Sequence, residues 1–205
     1  GFSIPSSVTY PLVKKCRFES FYDRDTLIMV GGVHTSIFPR ETLLDLDADV
    51  LCIGEGEITT LEILSEYKKR SFNKVKGIFY IGDSGPIIIS SRPLIRNIDV
   101  LPFPARHLMD ESDFIMSNRL SDIRVKMTHI MFSRGCPFCC RFCAAPQKIV
   151  QYRSGRNIRE ELFLLKQDYG IEGFSIVDDN SIINKENLRD ICDSIADLDL
   201  KWITL

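Results

Sequence analysis

Four of the seven cysteines fall within eight residues, at positions 136, 139, 140 and 143. The run admits two spacings: C-x3-C-x2-C through Cys136, Cys140 and Cys143, or two abutting C-x2-C pairs that use all four. Four thiolates would suit tetrahedral zinc. Zinc ribbons usually separate their pairs by about 15–20 residues, whereas here one pair follows the other directly, so a single ion would need a severely contorted backbone. We favour the interpretation with three ligands, and structural zinc stays open as the alternative.

Three thiolates on one loop suit an iron–sulfur cluster. A [4Fe–4S] cube is normally held by four cysteines, so three would leave one iron with an open position. An open position is what a catalytic metal centre needs. The loop follows a predicted strand, Thr128–Phe132, and α/β folds place their active sites at the carboxyl ends of parallel strands. The motif therefore predicts a catalytic cluster.

The segment Arg134–Cys143 strongly resembles the signature of radical S-adenosylmethionine (radical SAM) enzymes. In that family one electron from a reduced [4Fe–4S] cluster cleaves SAM, which is bound to the fourth iron, and yields a 5′-deoxyadenosyl radical that abstracts hydrogen. The resemblance implies that Phe142 packs near the SAM adenine, whereas Cys139 is not at a ligand position. The cluster ligands that it implies are Cys136, Cys140 and Cys143.

A second feature of this family is a polar segment after the next strand, near the SAM amino group. Asp178-Asp179-Asn180 follows the predicted strand Gly173–Val177 and stands where that segment is expected. Carboxylates could accept charge-assisted hydrogen bonds from the SAM ammonium. The resemblance thus implies that Asp178 and Asp179 contact SAM. The alternative is an ordinary strand-to-helix loop, in which Asp and Asn serve turns and caps.

The first half of the chain resembles the cobalamin-binding domain that precedes many radical SAM barrels. The segments that carry this resemblance are Val30–Thr35, Ile53–Glu57 and Leu101–Arg106. The resemblance implies a flavodoxin-like fold in which Gly31 and Gly32, lacking a Cβ, let the nucleotide tail of cobalamin approach the backbone. Ser3 could hydrogen-bond the same tail. The family's Asp-x-His-x-x-Gly marker is absent, so the lower axial ligand of cobalt is unassigned.

Composition limits the possible functions. The chain has 205 residues, of which 44% are apolar and 26% are charged, as in ordinary globular proteins. A net charge of −2 gives no electrostatic footprint for nucleic acid. The longest apolar runs are far shorter than the roughly 18 residues of a membrane-spanning helix. Clustered cysteines without a signal peptide indicate a reducing compartment, so we expect a cytoplasmic protein. Since the chain begins with Gly1 and ends within a predicted strand, we also expect that it is a piece of a longer protein.

Strand-like and helix-like segments alternate along most of the chain, which predicts parallel sheets covered by helices. The pattern divides into residues 1–75 (cobalamin-binding domain), 76–125 (a hairpin and a proline-rich connector) and 126–205 (the opening of the barrel, with parallel strands). The predicted strands are Gly1–Ile4, Thr26–Val30, Asp49–Ile53, Gly77–Ile81, Ile87–Ser91, Thr128–Phe132, Gly173–Val177 and Lys201–Leu205. The predicted helices are Thr9–Tyr22, Pro39–Asp47, Ile58–Arg70, Asn157–Tyr169 and Asn184–Leu198.

Together these patterns predict the α/β class: part of a flavodoxin-like (Rossmann-like) cobalamin-binding domain, followed by the first βα units of a radical SAM partial TIM barrel. The resemblance implies reductive cleavage of SAM and cobalamin-dependent methyl transfer to an unactivated carbon of a small molecule. It also implies an electron donor such as flavodoxin or ferredoxin. The alternatives are a non-methylating reaction of the same enzyme class, such as cyclisation or rearrangement, and a structural zinc-binding interaction module.

Overall fold

The computed structural model describes residues 26–46, 48–69, 71–82, 85–88, 90–120, 123–144 and 147–204. The predicted strand Gly1–Ile4, the predicted helix Thr9–Tyr22 and Ser3 lie outside these residues. The chain divides into two compact units, one up to Ile95 and one from Arg96. Within the described ranges, no helix combines the length and the apolar character needed to cross a bilayer.

The first unit contains a four-stranded sheet of order β1-β2-β3-β4. Its strands are β1 (Met29–Val30), β2 (Val50–Cys52), β3 (Ile78–Gly82) and β4 (Gly85–Ile88). Its helices are α1 (Val33–Ile37), α2 (Pro39–Leu46) and α3 (Glu57–Glu66). β1 and β2 are parallel, and β3 is antiparallel to both β2 and β4. The predicted hairpin is therefore confirmed, and it extends this sheet.

Burial on both faces explains the continuous apolar run of β2. Successive side chains of a strand point to opposite faces, and Val50 and Leu51 lie in different core clusters. Val50 packs with Ile63 of α3, whereas Leu51 packs with Leu43 and Leu46 of α2. The two helices thus cover opposite faces of the sheet, which is the layering expected of an α/β domain.

The second unit contains a four-stranded sheet of order β10-β9-β6-β5 and a separate two-stranded ribbon of β7 and β8. Its strands are β5 (Ile115–Leu120), β6 (Ile123–Ile130), β7 (Ser133–Arg134), β8 (Gln151–Tyr152), β9 (Gly173–Ile176) and β10 (Lys201–Thr204). Its helices are α4 (Glu111–Phe114), α5 (Gly155–Tyr169) and α6 (Lys185–Ile195). β6, β9 and β10 are parallel as predicted. β5 precedes the predicted block 126–205, was not predicted as a strand, and is antiparallel to β6.

The register of β6 and β9 fixes which side chains face the helices. Thr128 pairs with Phe174 and Ile130 pairs with Ile176, and Ile130, Phe174 and Ile176 all belong to the main core cluster. Ile158 and Leu162 of α5 and Ile191 of α6 complete that cluster. Because β6 and β9 are parallel, their carboxyl ends lie at one edge of the sheet. The residues that follow the two strands therefore lie close to each other.

The ends of α5 depend on local capping. Ser154 is the N-cap, since its hydroxyl accepts a 3.2 Å hydrogen bond from the amide of Asn157. The predicted helix Asn157–Tyr169 therefore starts two residues too late, because α5 begins at Gly155 after a serine cap. Gly170 ends α5, with a φ of 62° and an amide that donates to the Lys166 carbonyl.

Candidate functional site

The cysteine loop, residues 135–150, leaves the carboxyl end of β6. β7 and β8 pair antiparallel on either side of it, with Ser133 opposite Tyr152 and Arg134 opposite Gln151. This short ribbon closes the loop at its base. The loop is therefore presented at the edge of the sheet where α/β folds commonly build active sites.

The neck of the loop, formed by Gly135, Cys136, Gln147 and Ile149, is tightly fixed. Gly135 has a φ of 89°, and a Cβ at this position would lie 2.6 Å from the Ile149 carbonyl oxygen. The Cys136 amide donates to the Gln147 carbonyl at 3.0 Å. The Gln147 side-chain amide donates to the Ile149 carbonyl at 2.9 Å and to the Arg134 carbonyl at 3.3 Å. These contacts set the position of Cys136 at the start of the loop.

Beyond the neck, residues 137–144 are exposed. Cys136 is half-buried, whereas Cys139, Cys140 and Cys143 are exposed. The Cys143 amide donates to the Cys140 carbonyl at 3.0 Å, which makes a tight turn through Arg141 and Phe142. The Phe142 side chain is 92% exposed, which is unusual for an aromatic ring. The loop thus offers several thiols and an apolar ring on one accessible segment.

The cysteine thiols of the loop are chemically suitable ligands for an iron–sulfur cluster. Among the residues that the structure describes, no three Cys, His, Asp or Glu side chains converge as the ligands of one ion would. A cube binds each thiolate to a different iron, so its ligands need not meet at one point. Exposed cysteine sulfurs on a loop with a fixed neck are suitable donors for such a cube. The assignment of Cys136, Cys140 and Cys143 as ligands, and of Phe142 as an adenine contact, stays a prediction.

Asp178 connects the end of β9 to the start of the cysteine loop. One of its carboxylate oxygens accepts a 2.7 Å hydrogen bond from the Phe132 amide, and the other accepts a 2.6 Å hydrogen bond from the Ser133 hydroxyl. Burial raises the pKa of the Asp178 carboxyl, an effect that these hydrogen bonds partly offset and that the charge of Asp179 reinforces. Asp178 therefore holds the strand that leads into the loop.

Asp179 and Asn180 follow on the exposed side of this junction. The Asp179 side chain is exposed, and the Asn180 side-chain oxygen accepts a hydrogen bond from the Ile182 amide in a local turn. The structure thus brings the Asp178–Asn180 segment next to the cysteine loop through Asp178. The predicted contacts of Asp178 and Asp179 with SAM stay predictions.

Arg153 was not predicted as a site residue, because the segment from Arg153 to Arg156 has the composition of a solvated loop. The structure shows Arg153 only 7% exposed. Its guanidinium donates to the Met131 carbonyl at 2.9 Å and pairs with Glu161 at 2.6 Å. The spacing Arg153-Asn157-Glu161, in steps of four residues, could have indicated a common helix face.

A second arrangement of glycines lies in the first unit, at the carboxyl ends of the parallel strands β1 and β2. Gly32 follows β1 with a φ of 110°, and Gly54 follows β2 with a φ of 79°. The Ser36 hydroxyl joins the two turns, since it donates to the Gly32 carbonyl and accepts from the Gly54 amide, both at 2.9 Å. Gly31 and Gly32 are exposed at this edge. They could accept a ligand against the backbone, and their role in cobalamin binding stays a prediction.

Comparison with known proteins gives the relatives of this chain. An uncharacterized methyltransferase of Pyrococcus horikoshii is 27% identical over 209 residues, which cover 98% of this chain and 44% of that protein. An anaerobic magnesium-protoporphyrin IX monomethyl ester cyclase of Cereibacter sphaeroides is 24% identical over 178 residues, which cover 83% of this chain and 28% of that protein. No protein-family model matches the chain.

The fold has a close counterpart among solved structures. The radical SAM methyltransferase TsrM from Kitasatospora setae, with cobalamin and a [4Fe–4S] cluster bound, has a TM-score of 0.65 and 17% identity, covering 95% of this chain and 39% of that chain. The fold and the relatives define the class: a mixed α/β protein whose homologues are cobalamin-dependent radical SAM methyltransferases and related enzymes. The chain is similar to radical SAM enzymes with a cobalamin-binding domain. It spans less than half the length of these two curated relatives.

Proposed function

We propose that this chain is part of a radical SAM enzyme that cleaves SAM reductively and, with cobalamin, transfers a methyl group to an unactivated carbon of a small molecule. Cys136, Cys140 and Cys143 would hold the [4Fe–4S] cluster. When bound, the cluster supplies the electron that cleaves SAM, and cobalamin supplies the methyl group. The electron would come from a donor protein such as flavodoxin or ferredoxin.

The observation that carries this proposal is the cysteine loop. Its neck is fixed by Gly135 and Gln147, and three of its four cysteines are exposed beyond that neck. A structural zinc site is expected to bury its ion within closed coordination. Exposed thiols beside an exposed aromatic ring instead favour a centre that must also admit a second ligand.

The chain's own residues would bind and orient the cofactors. Phe142 would pack against the SAM adenine, and the exposed Asp179 would accept hydrogen bonds from the SAM ammonium. Gly31 and Gly32 would let the tail of cobalamin lie against the backbone at the ends of β1 and β2. Asp178 would orient the cysteine loop through Phe132 and Ser133.

A non-methylating reaction is the second candidate, because one relative is named as a cyclase. In that case the same cysteine loop would serve ring closure or rearrangement. Methyl transfer and cyclisation differ in the mass of the product, since only methyl transfer adds one carbon. Mass spectrometry of the product from SAM labelled in its methyl group would distinguish them.

The ligand assignment is tested by two neighbouring cysteines. We expect the intact protein, purified anaerobically and reconstituted, to contain about four irons and four sulfides per chain. Cys140→Ala should lose the cluster, together with the formation of 5′-deoxyadenosine from SAM in the presence of a strong reductant. Cys139→Ala is the matched control, because Cys139 is also exposed and adjacent, and it should retain the iron.

Two results would contradict the proposal. One is stoichiometric zinc in place of iron in the anaerobic wild-type protein, which would support the structural zinc module. The other is an equal loss of iron in the Cys139 and Cys140 variants, which would indicate that all four cysteines serve one site.

A further inference from the structure

A buried group of three charges lies directly behind the cysteine loop. Glu161 of α5 is 3% exposed and accepts from two arginines. Arg106 contacts one of its oxygens at 2.7 Å, and Arg153 contacts the other at 2.6 Å. The two arginine side chains are 12% and 8% exposed. Charges are rarely buried unless they are paired, so this group has a specific structural role.

Arg153 makes further contacts besides its ion pair with Glu161. Its guanidinium donates to the Met131 carbonyl at 2.9 Å and to the Asn157 side-chain oxygen at 2.7 Å. It also lies 5.7 Å from the centre of the Phe103 ring, within range of a cation–π interaction. A single planar side chain thus makes contacts in several directions, which a lysine ammonium could not reproduce.

Arg153 holds the polypeptide on both sides of the cysteine loop. Its side chain binds the carbonyl of Met131, which precedes the loop, and its own amide donates to the Phe132 carbonyl at 3.0 Å. Arg153 itself follows the loop, directly after β8. The entry and the exit of the loop are therefore joined through this one residue.

The connector supplies the other side of this group. Arg106 begins a short 3-10 turn of this segment, and Phe103 lies three residues before Arg106. Earlier in the same segment, the Asp99 carboxylate accepts from the Ser154 amide at 3.1 Å. Residues 99–106 thus contact the start of α5 and the residue that closes the loop.

From these contacts we propose that Arg153 is a positioning residue of the cysteine loop, oriented by Glu161 and braced by Arg106 of the connector. The role is to join the strand residues that enter the loop to those that leave it, so that the cysteines adopt the geometry for the cluster. This inference rests on the proposed function only for the identity of the cofactor that the loop binds. The effect of Arg153 on the order of the loop does not depend on any cofactor.

The test uses Arg153→Lys in the intact protein, with Arg156→Gln as the matched control. Arg156 lies three residues after Arg153, in the first turn of α5, and forms an ion pair with Glu160, but its side chain is 88% exposed. Amide hydrogen exchange of the cofactor-free protein should accelerate about tenfold in peptides that cover residues 131–136 and 147–153, as expected for loss of a hydrogen bond to a charged group. Peptides from β9 and α6 should be unchanged, and the control should match the wild type throughout.

A spectroscopic measurement extends the test to the cluster. Iron content should fall at least about twofold in Arg153→Lys, since metal binding is coupled to the order of its ligands. The electron paramagnetic resonance signal of the reduced cluster, and its change on addition of SAM, should differ from that of the wild type. If Arg153→Lys does not fold, Asn157→Ala removes one acceptor of Arg153 without changing charge, and the same local acceleration should appear.

The proposal is overturned if exchange rises uniformly across the second unit while iron content and the resonance signal stay at wild-type values. That result would show that Arg106, Arg153 and Glu161 stabilise the second unit as a whole and do not position the loop. A wild-type protein that takes up no cluster would instead contradict the proposed function, and the exchange measurements on the cofactor-free protein would still decide the role of Arg153.

Discussion

Replacing Asp178 by asparagine should show how strongly the end of β9 holds the cysteine loop. The carboxylate accepts from the Phe132 amide at 2.7 Å and from the Ser133 hydroxyl at 2.6 Å. An asparagine oxygen could accept from only one of these donors, and its amino group would face the other. Hydrogen bonds to charged groups contribute about 1.5–3 kcal/mol each, whereas relief of the buried charge returns part of that loss. We expect Asp178→Asn to lower the free energy of unfolding by about 1–2 kcal/mol.

Urea denaturation of the cofactor-free protein measures this change. Ser133→Ala removes one of the two donors and should by itself lower the free energy of unfolding by about 1 kcal/mol. Because Ser133 and Asp178 are in direct contact, the double variant should lose less than the sum of the single losses, by at least about 0.5 kcal/mol. Purely additive losses, or an unfolding free energy that Asp178→Asn leaves unchanged, would refute the role given to this carboxylate.

Two further changes test the loop neck and the sheet beside it. Gly135→Ala should lower the free energy of unfolding, measured by urea denaturation, by about 2–4 kcal/mol. The reason is that Gly135 has a φ of 89° and the new Cβ would lie 2.6 Å from the Ile149 carbonyl oxygen. An unchanged urea midpoint would contradict the described geometry of the neck. Burial lowers the pKa of His129 below the ordinary value of 6.5. The unfolded chain therefore binds the proton more tightly than the folded protein does. As a result, the free energy of unfolding decreases as the pH falls below 6.5 towards the lowered pKa. His129→Gln should therefore show a smaller loss of stability than the wild type between about pH 7 and pH 5.5, and equal losses would show that His129 does not contribute.

The elements predicted correctly are those with strong local signals. The strand before the cysteine loop and the parallel strands β9 and β10 are short apolar or β-branched runs. β5 was missed because its residues 115–120 show no clean alternation, and its strand conformation depends on pairing with β6. Local propensity does not encode that partner.

Side-chain contacts that are distant in sequence could not be predicted. In α3, Leu61 and Leu64 are 68% and 56% exposed, whereas Thr59 and Ile63 are buried. The apolar count of α3 does not determine its orientation, since the helix packs Ile63 against β2 and β3. The pairing of Arg106 with Glu161 joins a proline-rich connector to a helix, and no sequence periodicity relates the two.

The cysteine loop combines a fixed base with an accessible end, and both properties would favour binding of the proposed iron–sulfur cluster. A loop without a fixed neck would lose a large conformational entropy when it orders around a cluster, at about 1–2 kcal/mol per residue. Gly135, Gln147 and Asp178 reduce that cost before any ligand binds, because they order the first residues of the loop. The exposed thiols beyond them can then adapt to the cluster, and the exposed Phe142 remains available to a further ligand. A preorganised base and an accessible end of the loop are therefore both consistent with the proposed binding of a cluster that keeps one coordination position open.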